Sequence, residues 1–490
     1  MMVLLTMKVD TYKNYINGVF MESTSKQTFE SRNPSNKEDI VGVFQSSTRV
    51  DAMVAIEAAK AAFPAWTMVP PSKRAAILNK AAAILESNIE QLAAELTREE
   101  GKTFGDARNE VARSAQTIRY YAVEGQSLSG ETFPNDDVAM KVSSEREPLG
   151  VVSVITPWNF PLSIPVRKIA PALITGNTVV FKPSSDTPLI AYRLVEAFHL
   201  AGIPKGVINF VTGSASAIGD ILVDHPAIKA VTFTGSTKAG EHIHRHTSFT
   251  TRTQMELGGK NPIIIMDDAD LEKAATLTVN GGFSLTGQAC TGTSRVIVLS
   301  RIKEAFIEKL IEKTKALKMG DGFEEGVKIG PLANEKQWNN VLHYIEVGKS
   351  EGAQLRFGGE PVIHDQYANG YFVQPTIFTE VTTSMRIAKE EIFGPVIAVM
   401  EAEDYDEAIK IANDVEYGLS AAIVTNNLEI AQKFTNDIQA GTVKVNRTTT
   451  GNLINAPFGG LKKSSTSTFR ESGRVGLEFF TQLKTVYIGY

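Results

Sequence analysis

The chain has 490 residues, 43% apolar and 21% charged, with 50 Lys and Arg against 55 Asp and Glu for a formal net charge of −5. That length favours more than one structural unit, the composition is that of an ordinary globular enzyme, and an acidic balance without a basic run argues against a nucleic-acid partner. A single cysteine excludes an internal disulfide and a cysteine-built metal centre and points to a reducing compartment, so no metal site and a cytoplasmic location are expected.

At the start, Met1 to Met7 (MMVLLTM) has no basic region before it and no small-residue cleavage site after it, so no signal peptide is expected; Met1, Met2 and Met7 are all candidate starts. No uncharged run reaches the roughly 18 apolar residues of a membrane span. Residues 51–65 and 72–99 are Ala-rich and helical in period. Residues 140–150 read as an extended segment. From there strands at 150–156, 177–183, 206–213 and 230–235 alternate with helices at 161–175, 188–201, 214–224 and 236–246. Such alternation predicts βαβ units in a doubly wound parallel sheet, with ligands beyond the carboxyl ends of the strands. A second α/β stretch follows, with strands at 261–267, 295–300, 394–401 and 421–426 and helices at 302–317 and 405–413. The tail, KTVYIGY (484–490), is strand-like with no partner nearby in sequence. It and 140–150 are expected to pair between subunits.

Cys290 lies in Gly287-Gln288-Ala289-Cys290 among small polar residues. A lone cysteine is most often a small buried hydrophobe. Here the flanks let the backbone approach a ligand, and a thiolate in such a setting is a strong nucleophile for a carbonyl. Asn159, between Pro157 and Pro161 at the tip of a βα turn, could donate to a developing oxyanion; alone it is better read as a turn asparagine capping its own loop. Glu256 stands before Gly258-Gly259, which suggests close approach to a ligand, against the plainer reading of a surface glutamate before a turn. Gly235-Ser236 opens a strand-to-helix junction whose free N–H groups could hold a pyrophosphate, although no G-x-G-x-x-G fingerprint is present.

Seven motifs in order, TPWNFP (156–161), FKPSS (181–185), FTGSTKAG (233–240), MELGGKNP (255–262), TGQAC (286–290), EEIFGPV (390–396) and APFGGLKKS (456–464), make the chain closely resemble the aldehyde dehydrogenase superfamily over nearly its whole length. The resemblance implies an α/β fold: a Rossmann-type cofactor domain (1–125 and 149–258), an α/β catalytic domain (259–465) and a small β oligomerisation unit (126–148 and 466–490). It implies a homodimer or homotetramer, with the tail strand extending a neighbour's sheet. Cys290 would attack a small-molecule aldehyde, Asn159 and the Cys290 N–H would hold the oxyanion, hydride would pass to a nicotinamide, and Glu256 would activate water against the thioester. NADP, NAD or both would be held by Lys182, Glu391, Phe393, Gly235 and Ser236, with Thr156, Pro157, Trp158, Ser184, Ser185, Gly213 and Leu257 beside them. Glu471 is a candidate proton relay.

Two departures from the family pattern carry information. Ser185 stands where many NAD-preferring members have a glutamate that repels a 2′-phosphate, so good use of NADP is expected. The stretches 446–460 and 467–473 look most like the branch that oxidises 2,5-dioxovalerate (α-ketoglutaric semialdehyde), and Arg167 matches an arginine that binds a distal carboxylate, also in succinate semialdehyde dehydrogenases. A second arginine of some relatives is replaced by Ser284, for which Arg447 could compensate. Succinate semialdehyde, glycolaldehyde, lactaldehyde and betaine aldehyde are the alternative substrates. A CoA-acylating enzyme would typically lack Glu256, and a non-catalytic binding protein on this fold would be expected to lose Cys290 or Glu256.

Overall fold

The computed structural model describes residues 9–466 and 468–490; the Met1 to Met7 segment lies outside them. Two seven-stranded sheets form its frame. In the first, the strands Arg252–Glu256, Ile228–Thr234, Val151–Ile155, Thr178–Lys182 and Ile208–Phe210 lie side by side and parallel, and an antiparallel hairpin, Asn14–Ile16 and Val19–Met21, extends the edge. Every residue of Val151–Ile155 and Thr178–Lys182 is buried, as expected for strands covered on both faces. Val152, Val154, Val179 and Phe181 pack against helices Pro71–Ser87, Phe104–Glu124, Ser163–Ile174 and Pro188–Leu200. Val151, Ile155, Val180 and Val231 face helix Arg49–Thr67 and its neighbours on the other side.

The second sheet runs Gln354–Phe357, Thr376–Thr379, Val396–Ala402, Thr293–Leu299, Asn261–Ile265, Ser420–Val424, Thr442–Val445; only Gln354–Phe357 is antiparallel. Its first strand begins at Asn261, just after Glu256 closes the last strand of the first sheet. The carboxyl ends of one sheet therefore face the amino ends of the other, and the residues between them lie in the crevice where ligands bind open parallel sheets.

Four expectations change. The helix read over 72–99 breaks at Asn88 (φ −118°, ψ 21°) into Pro71–Ser87 and Ile89–Glu100. The helix read over 214–224 is two single turns, Ala215–Ile218 and Ile221–Asp224, because Gly219 and Asp220 separate them. The strand at 206–213 pairs only over Ile208–Phe210. The two segments expected to pair between subunits pair with each other: Thr481–Gly489 runs antiparallel to Met140–Pro148, with Thr132–Phe133 beyond it.

Candidate active site

A cavity of about 260 Å³ opens between the sheets, and Cys290, Glu256, Arg167, Ser284 and Glu471 all line it. Cys290 sits just before the strand Thr293–Leu299. Its loop is anchored by Asn261, whose Nδ2 donates to the carbonyls of Cys290 (2.8 Å) and Gly292 (2.9 Å) while its Oδ1 accepts from Ser420 N. The approach to the thiol is strained: Leu285 (φ 54°), Thr286 (φ 57°) and Gly287 (φ 72°) are all left-handed. Such backbone costs of order 1 kcal/mol or more per non-glycine residue and persists only where the surroundings over-determine it. Here Thr286 Oγ1 donates to Gly330 O, and Gln288 Oε1 accepts from Ala333 N. Burial pushes the Cys290 thiol up to about 12, and the Arg167 charge is the first influence opposing it.

Asn159 follows strand Val151–Ile155 and is buried. Its Nδ2 donates to Gln288 O at 3.0 Å, which joins the turn directly to the Cys290 loop and leaves the second amide hydrogen unassigned. A buried cation holds the turn from behind, since Lys102 Nζ donates to Asn159 O (2.8 Å) and to Glu110 Oε2 (2.6 Å). Glu110 Oε1 in turn accepts from the N–H groups of Leu162 and Ser163 at the start of the next helix.

Glu256 ends the strand Arg252–Glu256, is buried, and neither carboxylate oxygen has a hydrogen-bond partner among the described residues. Burial, and then the Glu471 charge, hold it well above the ordinary carboxylate range. A side chain at Gly459 would place its Cβ 2.8 Å from Glu256 Oε1, so glycine keeps that space open. Glu471 lies 2.9 Å from Lys168 Nζ and 3.8 Å from Arg167. Lys168 Nζ also donates to Thr232 Oγ1, so a polar chain runs from the site into the first sheet.

The expected cofactor residues gather at the carboxyl ends of the first sheet. Thr156, Pro157 and Trp158 follow Val151–Ile155; Lys182 ends its strand, with Ser184 and Ser185 after it; Gly213 follows Ile208–Phe210; Gly235 and Ser236 follow Ile228–Thr234; and Leu257 follows Glu256. Lys182 is buried, donates among the described residues only to Pro183 O (3.1 Å), and is held down at about 8 by that burial. Thr156 Oγ1 and Thr234 Oγ1 are buried without a partner among the described residues. Ser236 caps helix Thr237–His246, presenting its first N–H groups to the crevice. From the second sheet, Glu391 Oε1 accepts from Gly259 N (3.0 Å) and is raised to about 7 by burial, and Phe393 packs edge-on to Trp158 at 5.4 Å. Orphaned hydroxyls, a buried cation, a helix N-terminus and a carboxylate in one crevice suit a ligand with phosphates and sugar hydroxyls, so the residues present fit NAD(P).

Two expectations about the substrate end fare differently. Arg167 lines the cavity, whereas Arg447 is exposed and outside its lining. Ser284 lines it with Oγ donating to Asn280 O (2.6 Å). The structure adds residues not singled out in the sequence: Lys168, Lys102, Glu110, Gly459 and Arg113. Lys444 is a further one, clasping the carbonyls of Thr449, Thr450 and Gly451 at 2.6 to 2.9 Å behind the part of the wall that Thr450 and Gly451 form.

A thiol, a partnerless carboxylate and a crevice suited to a dinucleotide, set between two facing parallel sheets, define an NAD(P)-dependent oxidoreductase whose nucleophile is a cysteine. The chain belongs to the aldehyde dehydrogenase family, whose sequence profile matches residues 20–486. It is similar to the alpha-ketoglutaric semialdehyde dehydrogenase of Bacillus subtilis (47% identity over 480 residues, 98% of each chain) and to the 2,5-dioxopentanoate dehydrogenase of Saccharolobus solfataricus (45% over 461 residues, 94% of this chain and 95% of that one). Among solved structures it resembles the betaine aldehyde dehydrogenase of Staphylococcus aureus in complex with NAD+, with a TM-score of 0.95 and 37% identity over 97% of this chain and 94% of that one.

Proposed function

We propose that the chain oxidises an acid semialdehyde, 2,5-dioxovalerate first among them, to the carboxylate with NAD(P). The observation that carries this reading is Arg167 in the same cavity as Cys290 and Glu256, with the names of the two curated relatives in support.

Cys290 Sγ attacks the aldehyde carbon as a thiolate, a form that the nearby Arg167 charge favours over the thiol. The oxyanion of the resulting thiohemiacetal accepts hydrogen bonds from Asn159 Nδ2 and the Cys290 N–H; one such donor contributes ~3 kcal/mol in acyl-transfer enzymes. Bound NAD(P) supplies the hydride acceptor. Glu256, in its ionised form, takes a proton from the water that attacks the thioester, and its raised affinity for a proton makes it a stronger base than an ordinary carboxylate. Glu471, held by Lys168, stands next to it to carry the proton onward. A base at position 256 favours water over CoA as acyl acceptor.

In this reading the first sheet, with 1–125 and 149–258, holds the cofactor, and 259–465 carries the nucleophile. Lys182 and Glu391 would hold ribose hydroxyls, with Phe393 against the nicotinamide end; Gly235 and Ser236 would meet the pyrophosphate. We further propose good use of NADP. Ser185 Oγ donates to Gly213 O at 3.3 Å, and the neighbouring Asp186 faces Ser184, Asn334 and Lys336 instead. The segments 126–148 and 466–490 would form the homodimer or homotetramer contact: the tail strand exposes Leu483, Tyr487 and Ile488 on an edge strand. A cytoplasmic location suits a chain whose one cysteine must stay a thiol.

The test is kcat/KM for 2,5-dioxovalerate, succinate semialdehyde, glycolaldehyde, betaine aldehyde and propanal with each cofactor, with and without CoA. The highest value is expected for 2,5-dioxovalerate without CoA; a preference for uncharged aldehydes overturns the reading.

A further inference from the structure

Helix Phe104–Glu124 turns one face to the Cys290 cavity: Asp106, Asn109, Glu110 and Arg113 all line it, at the i, i+3, i+4, i+7 spacing of a single helical stripe. The two acids of that stripe are already engaged. Glu110 is held by Lys102 and the Leu162 and Ser163 N–H groups, and Asp106 accepts from Thr103 Oγ1 at 2.7 Å. Arg113 is only partly exposed, and its guanidinium makes neither an ion pair nor a hydrogen bond among the described residues. A guanidinium taken partly out of water and left without an acceptor is costly unless something else supplies one.

Arg167 is the other arginine of this cavity, and its charge is partly answered by Glu471 at 3.8 Å. The two arginines are ordered along the cavity. Arg167 reaches the inner end: its guanidinium lies 3.8 Å from Glu471 and 6.0 Å from the ring of Phe458, next to Gly459, where a Cβ would stand 2.8 Å from Glu256 Oε1, whereas Arg113 makes no such contact among the described residues. Moving away from the thiol, a ligand therefore meets Arg167 and then Arg113.

We propose that Arg113 is a specificity-determining residue that binds the terminal carboxylate of a five-carbon acid semialdehyde, with Arg167 spanning the position nearer the thiol. With C5 on Cys290, a 2,5-dioxo acid would set its 2-oxo group by Arg167 and its C1 carboxylate by Arg113. A four-carbon acid semialdehyde would end one bond sooner, within reach of Arg167. This deepens and rests on the acid-semialdehyde reading above.

The experiment compares the wild type with R113M, R113K and R167M on 2,5-dioxovalerate, glutarate semialdehyde, succinate semialdehyde and pentanal. R113M should raise KM for both five-carbon acids by about tenfold or more with kcat within about twofold, as loss of a charge-assisted ground-state contact requires. Succinate semialdehyde and pentanal should lose less than about threefold in kcat/KM; R113K should fall between wild type and R113M, and R167M should impair all three acids. An equal loss on pentanal assigns Arg113 a structural role, and an equal loss on four- and five-carbon acids removes the ordering; either overturns the proposal. If R113M is insoluble, R113K with the same substrates decides, because a displaced charge still separates five-carbon from four-carbon acids. An unchanged KM in the variants, with a wild type that still prefers acids to pentanal, overturns the role of Arg113 and leaves the acid-semialdehyde reading standing. A wild type with no such preference overturns both.

Discussion

The Glu471 carboxylate lies 2.9 Å from the Lys168 ammonium, and both side chains are shut off from solvent. The pair joins the tail of the chain to a helix of the first sheet, directly beside the other acid of the site. Because Glu256 is raised by burial and then by the Glu471 charge, Glu471→Gln should lower the pH at which Glu256 ionises. Losing a negative neighbour and leaving Lys168 uncompensated act in the same direction. The acidic limb of the kcat–pH profile should therefore move to lower pH. Its plateau should fall by roughly tenfold if Glu471 passes protons on. Steady-state kinetics from pH 5 to 9 check both; a limb that moves up refutes the assignment.

Thiol labelling offers a second handle. With Cys290 pushed up to about 12 by burial, the alkylation rate of the ligand-free protein should climb nearly tenfold per pH unit from pH 7 to 10, with no plateau near the ordinary thiol value. Arg167→Met should slow it, since that charge favours the thiolate. Cys290→Ser should abolish both labelling and aldehyde oxidation, because the sequence has no other cysteine. Iodoacetamide kinetics followed by intact-mass measurement decide the point.

In the proposed reading, cofactor choice turns on Ser185. Ser185→Glu would set a carboxylate where the structure now has a hydroxyl on Gly213 O. Like charges brought together at a binding site cost several kcal/mol. The NADP/NAD ratio of kcat/KM should fall by about tenfold or more, and an unchanged ratio would remove Ser185 from cofactor selection.

The strained approach to the nucleophile predicts a stability effect. At Gly287 a Cβ would stand 2.2 Å from Gly394 O, on a backbone already at φ 72°. Gly287→Ala should destabilise the protein by ~1–3 kcal/mol and lower kcat, because the displaced loop carries Cys290. Denaturant unfolding with a parallel activity assay checks both; wild-type stability would show that the turn can relax.

The parallel sheets were legible because their central strands are continuous apolar runs separated by helices of regular period, and Cys290, Asn159 and Glu256 were legible through their motifs. Other features resisted for physical reasons. Asn17-Gly18 is a hairpin signal, but the strands it joins are only three residues each, too short for alternation to show. Asn88 interrupts an Ala-rich helix without proline or glycine, so nothing local marks the break. Lys168 and Arg113 lie on helices where a cation ordinarily means a solvated face; only tertiary packing reveals that one is buried against Glu471 and the other turned to the cavity. Arg447 is the converse, close in sequence to the cavity wall yet turned to solvent.

Glu256 closes one sheet, Cys290 opens a strand of the next, and Glu471 returns to the first from far along the chain. A chimera joined at the Gly258-Gly259 crossover would thus inherit Glu256 from one parent and Cys290 and Glu471 from the other. Recombination between relatives can preserve both sheets and still fail, unless the Lys168 partner of Glu471 and the Asn159 contact to Gln288 O survive the exchange. Library crossovers placed away from that junction, and holding those pairs together, should yield the larger share of active hybrids.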